Sequence, residues 1–172
     1  SEYTATFTTN EYYIPEKVQP NWVGYSFLPP PNSDGSINFE AELVLEFDEA
    51  IDPITVEPGT TVLVHRVITI AGPGGAVVKS GEYPVTVTAS RDGTRFNLEP
   101  AVNWGSEAEV TVTLTEGIKD LAGNPVVPRP LNPTQTNPFS FTTEPKPGLT
   151  LVDFVVETFA DNDYEDTTLS DP

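Results

Sequence analysis

The sequence contains no cysteine among its 172 residues, which excludes disulfide bonds and thiolate metal sites. Histidine is nearly absent as well, because His65 is the single one and a typical zinc site needs several imidazole or thiolate ligands. No apolar run approaches the ~18 residues that span a bilayer as a helix. A secretory signal is also missing before Ser1, so we expect a processed chain or an excised piece of a longer protein.

Positive charge is the next scarce feature. Lys and Arg number 8 against 26 Asp and Glu, a formal net charge of −18. Nucleic acids and anionic membranes attract basic surfaces, so neither nucleic-acid binding nor membrane insertion is predicted. The excess of carboxylates makes calcium the candidate cofactor, since hard cations prefer oxygen ligands. The alternatives are a solvated acidic surface and adaptation to salty surroundings.

Signals for catalysis are weak. His65 lies in the middle of a β-branched stretch, and no Gly-x-Ser-x-Gly nucleophile elbow occurs in the chain. The many acidic residues could supply a carboxylate pair for glycoside hydrolysis, but no spacing singles out such a pair. We therefore predict that the chain is not an enzyme.

The segment from Ile37 to Asp52 predicts the central strand of the fold. Apolar side chains occupy every second position from Ile37 to Phe47, and polar, mostly acidic side chains lie between them, with Val44 as the exception. This period of two is typical of a strand with one buried face and one solvated face. Because unpaired carboxylates are costly to bury, the pattern favours a β-sandwich over a parallel sheet covered on both faces.

The remaining pattern predicts more short strands and little helix. The chain has 12 Gly and 18 Pro, and no segment sustains a period of 3.6 residues. Asp92-Gly93 is a strong hairpin signal between two of the strands. The five prolines of residues 125–138 predict a loop without ladder bonds. Further strands are predicted at residues 3–9, 60–70, 76–79, 83–89, 94–98, 108–115, 139–143 and 149–159.

Four segments together resemble one known family. They are PPPNSDGS at residues 29–36, LVLEFDEAIDP at 43–53, the long stretch from Arg91 to Val126 that contains Lys-Asp-Leu-Ala-Gly-Asn, and FSFTT at 139–143. Their order and content are similar to bacterial Ig-like domains, over residues 29–143. The loop of residues 119–124 followed by the closing FSFTT strand is the specific part of this resemblance.

The resemblance implies an all-β, Ig-like Greek-key sandwich of about seven strands, with extra strand-like segments at both termini. Such domains usually occur as tandem modules of large exported bacterial proteins and share no catalytic residues. We divide the chain accordingly into an aromatic and Pro-rich extension (1–31), the Ig-like domain (32–143), and a linker with a further strand and an acidic tail (144–172).

Two acidic clusters are candidate calcium ligands. The first is the dense run in the tail, which lacks the glycine and bidentate glutamate of an EF-hand. The second requires that two loops share one end of the sandwich. The tail cluster is Asp161, Asp163, Glu165 and Asp166, and the loop cluster is Asp48, Glu49, Asp52 and Asp120.

Aromatic side chains are concentrated near the N-terminus. Tyr12, Trp22 and Tyr25 are the candidate platform for a glycan or a peptide, with ring packing on the sandwich as the alternative. We expect Trp22 to be partly exposed because it lies between proline and glycine in an extended segment. Trp104, at a turn before a strand, is expected to pack on the core.

These observations predict a non-catalytic structural or adhesion module of a bacterial-type surface protein, located outside the cell or on its surface. Its expected partners are neighbouring Ig-like modules or copies of itself. One alternative is a self-assembling filament or surface-layer subunit, whose terminal strands add to a neighbour's open sheet edge. Another is a carbohydrate-binding accessory module that recognises surface glycans.

Overall fold

Eight antiparallel strands form two packed four-stranded sheets in the computed structural model, which describes residues 18–70 and 75–146. The predicted terminal strands at 3–9 and 149–159 lie outside these residues. The strands are β1 (Trp22–Leu28), β2 (Glu42–Phe47), β3 (Val62–Ile70), β4 (Val77–Glu82), β5 (Val85–Ala89), β6 (Arg95–Pro100), β7 (Glu109–Leu114) and β8 (Phe139–Thr142). A short 3-10 helix, Pro53–Thr55, is capped by Asp52.

The strand order identifies the sandwich as Ig-like. One sheet has the order β1-β2-β6-β5 and the other β4-β3-β7-β8, which is the four-plus-three arrangement of an Ig domain with one strand added beside β3. The prediction of an all-β Ig-like sandwich is therefore confirmed. The added strand is β4, which pairs with β3 from His65–Glu82 to Ile70–Val77.

The central strand is shorter than its alternation predicted. β2 covers Glu42–Phe47, because its neighbours β1 and β6 pair with it only there. Of the outlying apolar residues, Ile37, Ala41 and Ile51 remain buried and Phe39 is half-buried. Ile37 bridges to Thr143, and Ile51 bridges to Asp120. The alternation thus predicted buried apolar side chains beyond both ends of β2.

The core lies between the sheets and is rich in aromatic rings. Trp22, Phe96 and Trp104 are fully buried, and burial of one large apolar side chain contributes about 1.5–3 kcal/mol. The other largest fully buried side chains are Leu43, Leu45, Ile51, Leu98, Ile118, Val62, Val110, Val112 and Val126. Because Trp22 begins β1, the sandwich includes residues that the sequence analysis placed in the 1–31 extension.

The Pro-rich segment of residues 125–138 covers the outer edge of β1. Leu131 N donates to Trp22 O at 2.8 Å. The Gln135 amide then imitates a strand residue: its oxygen accepts from Tyr25 N at 3.0 Å and its nitrogen donates to Tyr25 O at 2.9 Å. A segment predicted to be free of ladder bonds therefore occupies a sheet edge that would otherwise be open to other chains.

The described chain begins at one end of the sandwich and finishes at the other. Asn21 N donates to the Asp48 carboxylate at 2.7 Å, just beyond the last residue of β2. Glu144 N donates to Ile37 O at 2.8 Å, ahead of the first residue of β2. The six residues of β2 lie between these points and extend about 20 Å. We call the two sides the N-terminal end (residues 18–21, 48–61, 90–94 and 115–127) and the C-terminal end (29–41, 68–70, 75–79, 101–108 and 143–146).

Candidate functional site

The two loops that carry the predicted acidic cluster do meet at the N-terminal end. Asp52 N donates to Lys119 O at 2.9 Å, and Ile51 forms an antiparallel bridge with Asp120. Their carboxylates, however, accept hydrogen bonds from different segments of the chain. Asp48 accepts from the backbone N and the side-chain Nδ2 of Asn21, both at 2.7 Å. Asp52 accepts from Ile54 N at 3.1 Å as the cap of the 3-10 helix.

Asp120 is buried and is bound by its own loop. It accepts from Asn124 N and Asn124 Nδ2, both at 2.7 Å. Burial by itself raises the pKa of Asp120, but the hydrogen bonds from the side chain and backbone of Asn124 and from the backbone of Ala122 and Gly123 outweigh it, so the pKa is lowered. Gly123 adopts φ +89°, the left-handed conformation that this tight loop requires.

The predicted loop cluster of Asp48, Glu49, Asp52 and Asp120 is therefore not assembled as a metal site. Within residues 18–70 and 75–146, no group of three or more His, Cys, Asp or Glu side chains could hold a metal ion. One physical reason is that N–H donors of neighbouring segments bind both carboxylate oxygens of Asp48 and Asp120 and one carboxylate oxygen of Asp52. The second cluster, Asp161, Asp163, Glu165 and Asp166, lies outside the described residues.

The aromatic prediction leads to a groove rather than a platform. A cavity of about 840 Å³ opens between β1 and β8, with Tyr25, Phe27 and Phe141 among its lining residues. Tyr25 stacks on Phe139 with ring centroids 3.8 Å apart, and Phe27 meets Phe141 edge-on at 4.9 Å. Burial raises the pKa of the Tyr25 hydroxyl. The polar residues of the groove include Ser26, Asp34, Ser36, Gln135 and Ser140.

Trp22 does not belong to this surface, contrary to the expectation that it is partly exposed. Its ring is fully buried, its Nε1 donates to Gly24 O at 2.8 Å, and it packs 5.8 Å from Phe139. The fold buries Trp22 because β1 is a full strand of the sandwich and not an appended segment. Tyr12 lies outside the described residues, so Tyr25 is the member of the predicted trio that the structure places in the groove.

Phe27 and Phe141 are groove residues that the sequence did not single out. Each lies two positions from another aromatic residue of its strand, Tyr25 or Phe139, and this spacing was a usable signal. The sequence does not show that the two strands are neighbours, because β1 and β8 belong to different sheets.

Trp104 packs on the core as predicted. It is fully buried, and its Nε1 donates to Ala41 O at 2.7 Å. The ring meets Phe141 edge-on at 5.4 Å. Trp104 thereby closes the C-terminal end of the sandwich, where the loop between β6 and β7 turns.

His65 lies on the solvent-facing side of β3. It is exposed, and its Nε2 is 3.1 Å from Ser80 Oγ on β4. A histidine beside a serine suggests nucleophilic chemistry only if a cleft receives a substrate. This pair lies on an exposed strand face, away from the groove between β1 and β8.

Exposed apolar side chains are concentrated at the ends of the sandwich. Ile54 and Leu121 belong to the joined loops of the N-terminal end and are 85% and 70% exposed. At the C-terminal end, Val102 is 82% exposed in the loop between β6 and β7. The other exposed large hydrophobic side chains are Val18, Leu28, Ile70, Val77, Val78 and Leu131. In the part of the chain that the structure describes, no helix is long and apolar enough to cross a membrane.

The solved structures that resemble this chain include two crystal structures of the S-layer protein SbsC. A crystal structure of the S-layer protein rSbsC has a TM-score of 0.44 and 17% sequence identity, covering 76% of this chain and 14% of that one. A crystal structure of the N-terminal part of the bacterial S-layer protein SbsC has a TM-score of 0.45 and 16% identity, covering 74% of this chain and 24% of that one.

A comparison with curated proteins found no match. The sequence profile of the family described as "Bacterial Ig-like domain" matches residues 25–143. This match includes seven of the eight strands completely and most of β1. It covers more than half of the chain and agrees with the strand order of the sandwich. The chain therefore belongs to the bacterial Ig-like domain family.

Proposed function

We propose that the chain is a non-catalytic spacer module of a bacterial-type surface protein and works outside the cell among neighbouring Ig-like modules. The observation that carries this proposal is the passage of the chain from one end of the sandwich to the other. Asn21 lies beside Asp48 at the N-terminal end, and Glu144 lies beside Ile37 at the C-terminal end. Each module joined in this way adds its own length to an array.

The use of the polar side chains supports the spacer role. Asp52 and Asp120 stabilise the loops of the N-terminal end, and Asn32 and Asn38 donate to the Glu144 carboxylate, both at 2.8 Å, at the C-terminal end. Hydrogen bonds to a charged group contribute about 1.5–3 kcal/mol each. The Glu144 contacts fix the point where the chain leaves the sandwich, and the loop contacts hold the opposite end rigid, which favours an array of defined direction.

Small-angle X-ray scattering of the chain and of a direct tandem duplicate would test the proposal. The nine residues of β3 alone extend about 30 Å, so the maximum dimension of the duplicate should exceed that of the single chain by at least this length. As a control, a duplicate with a long flexible Gly/Ser linker between its two copies should give a broader distribution of interatomic distances. A duplicate whose copies pack side by side, with little increase in length, would contradict the spacer function.

A second candidate function is binding of a glycan or an extended peptide in the groove between β1 and β8. The observation in its favour is the combination of the half-buried rings of Tyr25 and Phe141 with Asp34 and Ser36 in one cavity, since sugars stack on rings and bond to polar rims. Retention of common surface glycans by the full chain and by Tyr25→Ala would test it. Equal retention by Tyr25→Ala, with the fold intact, would remove this candidate.

Self-assembly into a filament or surface layer, in which a terminal strand of one copy adds to a sheet of another copy, requires an open sheet edge. Residues 127–135 already occupy much of the β1 edge, so β4 is a better acceptor. Tyr83 N donates to Val64 O at 2.8 Å, and the alternation of an antiparallel ladder therefore turns the backbone groups of Val78, Ser80 and Glu82 outward. Removal of residues 1–17 or 147–172 should leave a folded chain that no longer polymerises; continued polymerisation of both truncated chains would exclude the terminal strands as donors.

A further inference from the structure

The β8 wall of the groove between β1 and β8 carries unpaired backbone groups. Thr143 N donates to Ala108 O at 3.0 Å, on the side of β7. Thr142 O accepts from Ile37 N at 2.9 Å, on the outer side. Because residues of an edge strand turn their backbone groups inward and outward in alternation, the N–H and C=O of Ser140 face outward like those of Thr142. In the part of the chain that the structure describes, neither backbone group of Ser140 has a hydrogen-bond partner.

The β1 wall of the groove continues this pattern. The Gln135 amide pairs with the N–H and C=O of Tyr25, so the alternation of the strand turns the N–H and C=O of Phe27 to the same side. Gln135 covers one end of the groove, and Ile37 covers the other end. Among the described residues, nothing pairs with the backbone of Phe27 in the gap between them. An extended segment laid in this gap would find donors and acceptors on both walls.

Aromatic rings lie beside these open backbone groups. Tyr25, Phe27 and Phe141 line the groove, and the rings of Tyr25 and Phe141 are half-buried. The β4 edge also has open backbone groups, but the side chains from Val77 to Ser80 are all exposed. A segment with apolar side chains would therefore bury them more fully in the groove than on β4. For such a segment the groove is the better acceptor of the two.

Residues 3–9 match the groove in their sequence pattern. Tyr3, Ala5 and Phe7 alternate with threonines, and this segment contains no charged residue. In an extended conformation the alternation places the apolar side chains on one face and the threonine hydroxyls on the other. One face can therefore pack on the rings of the groove while the other remains in water.

The charge of the groove favours this uncharged segment over the other terminal one. Among the described residues that line the groove, Asp34 is the single charged one. Residues 149–159, the second strand predicted outside the described residues, contain Asp153 and Glu157. Because carboxylates repel one another, a segment that brings further acids next to Asp34 is the poorer match.

The position of the chain start points to a second copy as the donor of this segment. Asn21 lies at the N-terminal end of the sandwich, whereas the groove opens at the C-terminal end, beside Asp34 and Ile37. Residues 127–135 cover the edge of β1 between these points, so a segment of the same chain would have to reverse direction and cross this cover. The groove of a copy that precedes in a head-to-tail row lies in line with the chain, and residues 10–17 can span up to about 26 Å toward it.

We propose that residues 3–9 of one copy add as a strand in the groove between β1 and β8 of a second copy. The proposal rests on the second candidate function, an extended peptide in this groove, and names that peptide. A segment that enters from the C-terminal end runs parallel to β8, as Ile37 already does beside Thr143. Phe7 packs on the rings, and Ser140 exchanges backbone hydrogen bonds with the segment. Because the donor segment and the groove are different surfaces at opposite ends, the contact is heterologous and repeats from copy to copy.

Sedimentation velocity of the full chain and three variants would test this contact. Phe7→Ser removes the ring of the donor segment. Ser140→Pro removes the N–H that faces the groove, and an edge strand tolerates proline where the N–H is not part of its ladder. Phe159→Ser is the matched control, because it makes the same substitution in the other terminal segment. Thermal unfolding of each variant shows whether the sandwich is intact.

The natural chain and Phe159→Ser should increase in average mass as their concentration rises toward the millimolar range. Phe7→Ser and Ser140→Pro should each associate about tenfold more weakly or less, because one loses the buried ring and the other a backbone donor. An equimolar mixture of these two variants should form dimers and nothing larger. The intact segment of Ser140→Pro enters the intact groove of Phe7→Ser, and the remaining segment and groove are both impaired.

Hydrogen exchange would locate the contact on the natural groove, without relying on the proline variant. In the associated natural chain, the N–H groups of Ser140 and Phe27 should exchange about tenfold more slowly or less than in Phe7→Ser. A synthetic peptide of residues 1–11, added to Phe7→Ser, should restore the slow exchange. The outward N–H groups of β4, at Val78 and Ser80, should exchange at the same rate in all samples.

Four results would overturn the proposal. They are a natural chain that stays monomeric over this range, association lost in Phe159→Ser but kept in Phe7→Ser, protection at β4 in place of Ser140, and protection of Ser140 in a monomer, which would place the segment in its own groove. Glycan retention by Phe7→Ser tests the groove itself separately. A groove that retains glycans but is not protected by the peptide of residues 1–11 would refute this contact and leave the second candidate function standing.

Discussion

Asp120 and Asn124 close the Lys-Asp-Leu-Ala-Gly-Asn loop by a two-point contact: the Asp120 carboxylate accepts from the backbone N and from the side-chain Nδ2 of Asn124, both at 2.7 Å. The same loop bridges to Ile51, and Ile51 is buried in the core. The most specific motif of the sequence is thus a structural clasp, which joins two connections at the N-terminal end of the sandwich.

Replacement of Asp120 by Ala should lower the free energy of unfolding by about 2–3 kcal/mol, because the half-buried donors of Asn124 and the N–H groups of the loop backbone would lose a charged acceptor. Urea unfolding followed by tryptophan fluorescence would measure the loss. Glu116→Ala is the control, since Glu116 is exposed in the same connection, and it should change stability by less than about 0.5 kcal/mol. Equal effects of the two substitutions would contradict the clasp.

The clasp should also be sensitive to pH. The folded-state pKa of Asp120 is lowered, so its stabilising effect is fully present above the unfolded value of about 3.9 and is lost as the pH falls through the folded value. The natural chain should therefore lose stability on acidification below pH ~5 more steeply than Asp120→Asn does. Parallel stability profiles of the two proteins would show that another carboxylate is responsible.

Gln135 should determine how firmly the Pro-rich segment closes the β1 edge. Gln135→Ala removes two hydrogen bonds to Tyr25 and should cost about 1–3 kcal/mol. Gly24→Ala should have a comparable effect, because a methyl group at Gly24 would collide with the Gln135 side chain. Hydrogen exchange at Tyr25 N would measure the loss of protection in both variants, and Thr134→Ala is a neighbouring control. Unchanged protection of Tyr25 N in both variants would contradict this role of Gln135.

Trp104 should be among the side chains that stabilise the sandwich most. Trp104→Ala leaves a cavity beneath the loop between β6 and β7 and should cost about 3–5 kcal/mol. Trp104→Phe retains most of the ring contacts but leaves Ala41 O without its donor, which should cost about 1–3 kcal/mol of stability. Thermal unfolding monitored by circular dichroism would rank the two variants. A larger loss of stability for Trp104→Phe than for Trp104→Ala would contradict the larger contribution assigned to the ring contacts.

Calcium binding by the acidic tail stays a prediction that the described residues do not test. Isothermal titration of the full chain with CaCl₂ should give a saturable signal if Asp161, Asp163, Glu165 and Asp166 bind the ion. Replacement of all four by Asn or Gln should abolish it, while Asp48→Asn should not, because Asp48 is hydrogen-bonded to Asn21. A signal unaffected by the fourfold replacement would exclude the tail as the site.

The fold was predictable where burial follows a local period. The alternation of Leu43, Leu45 and Phe47 predicted their burial and the sandwich correctly, because one face of each strand meets the core. The length of β2 was not predictable, since strand ends depend on where β1 and β6 stop pairing with it. For the same reason the pattern around Trp22 suggested a partly exposed extension, although its strand completes a sheet.

The site was less predictable than the fold because it depends on which segments become neighbours. The candidate loop cluster required the two acidic loops to meet, and they do, but hydrogen-bond partners such as Asn21 for Asp48 come from distant segments that no spacing reveals. The groove between β1 and β8 likewise requires two strands that lie far apart in sequence and in different sheets.

A pair of spin labels would test whether the chain crosses the sandwich from one end to the other. Since the chain has no cysteine, Val18→Cys with Lys146→Cys can be labelled without background, and pulsed electron resonance should give a distance longer than about 30 Å. Ile54→Cys with Leu121→Cys, in the joined loops of one end, is the short-distance control. A Val18–Lys146 distance as short as that of the control would place both ends of the domain together and contradict the spacer function.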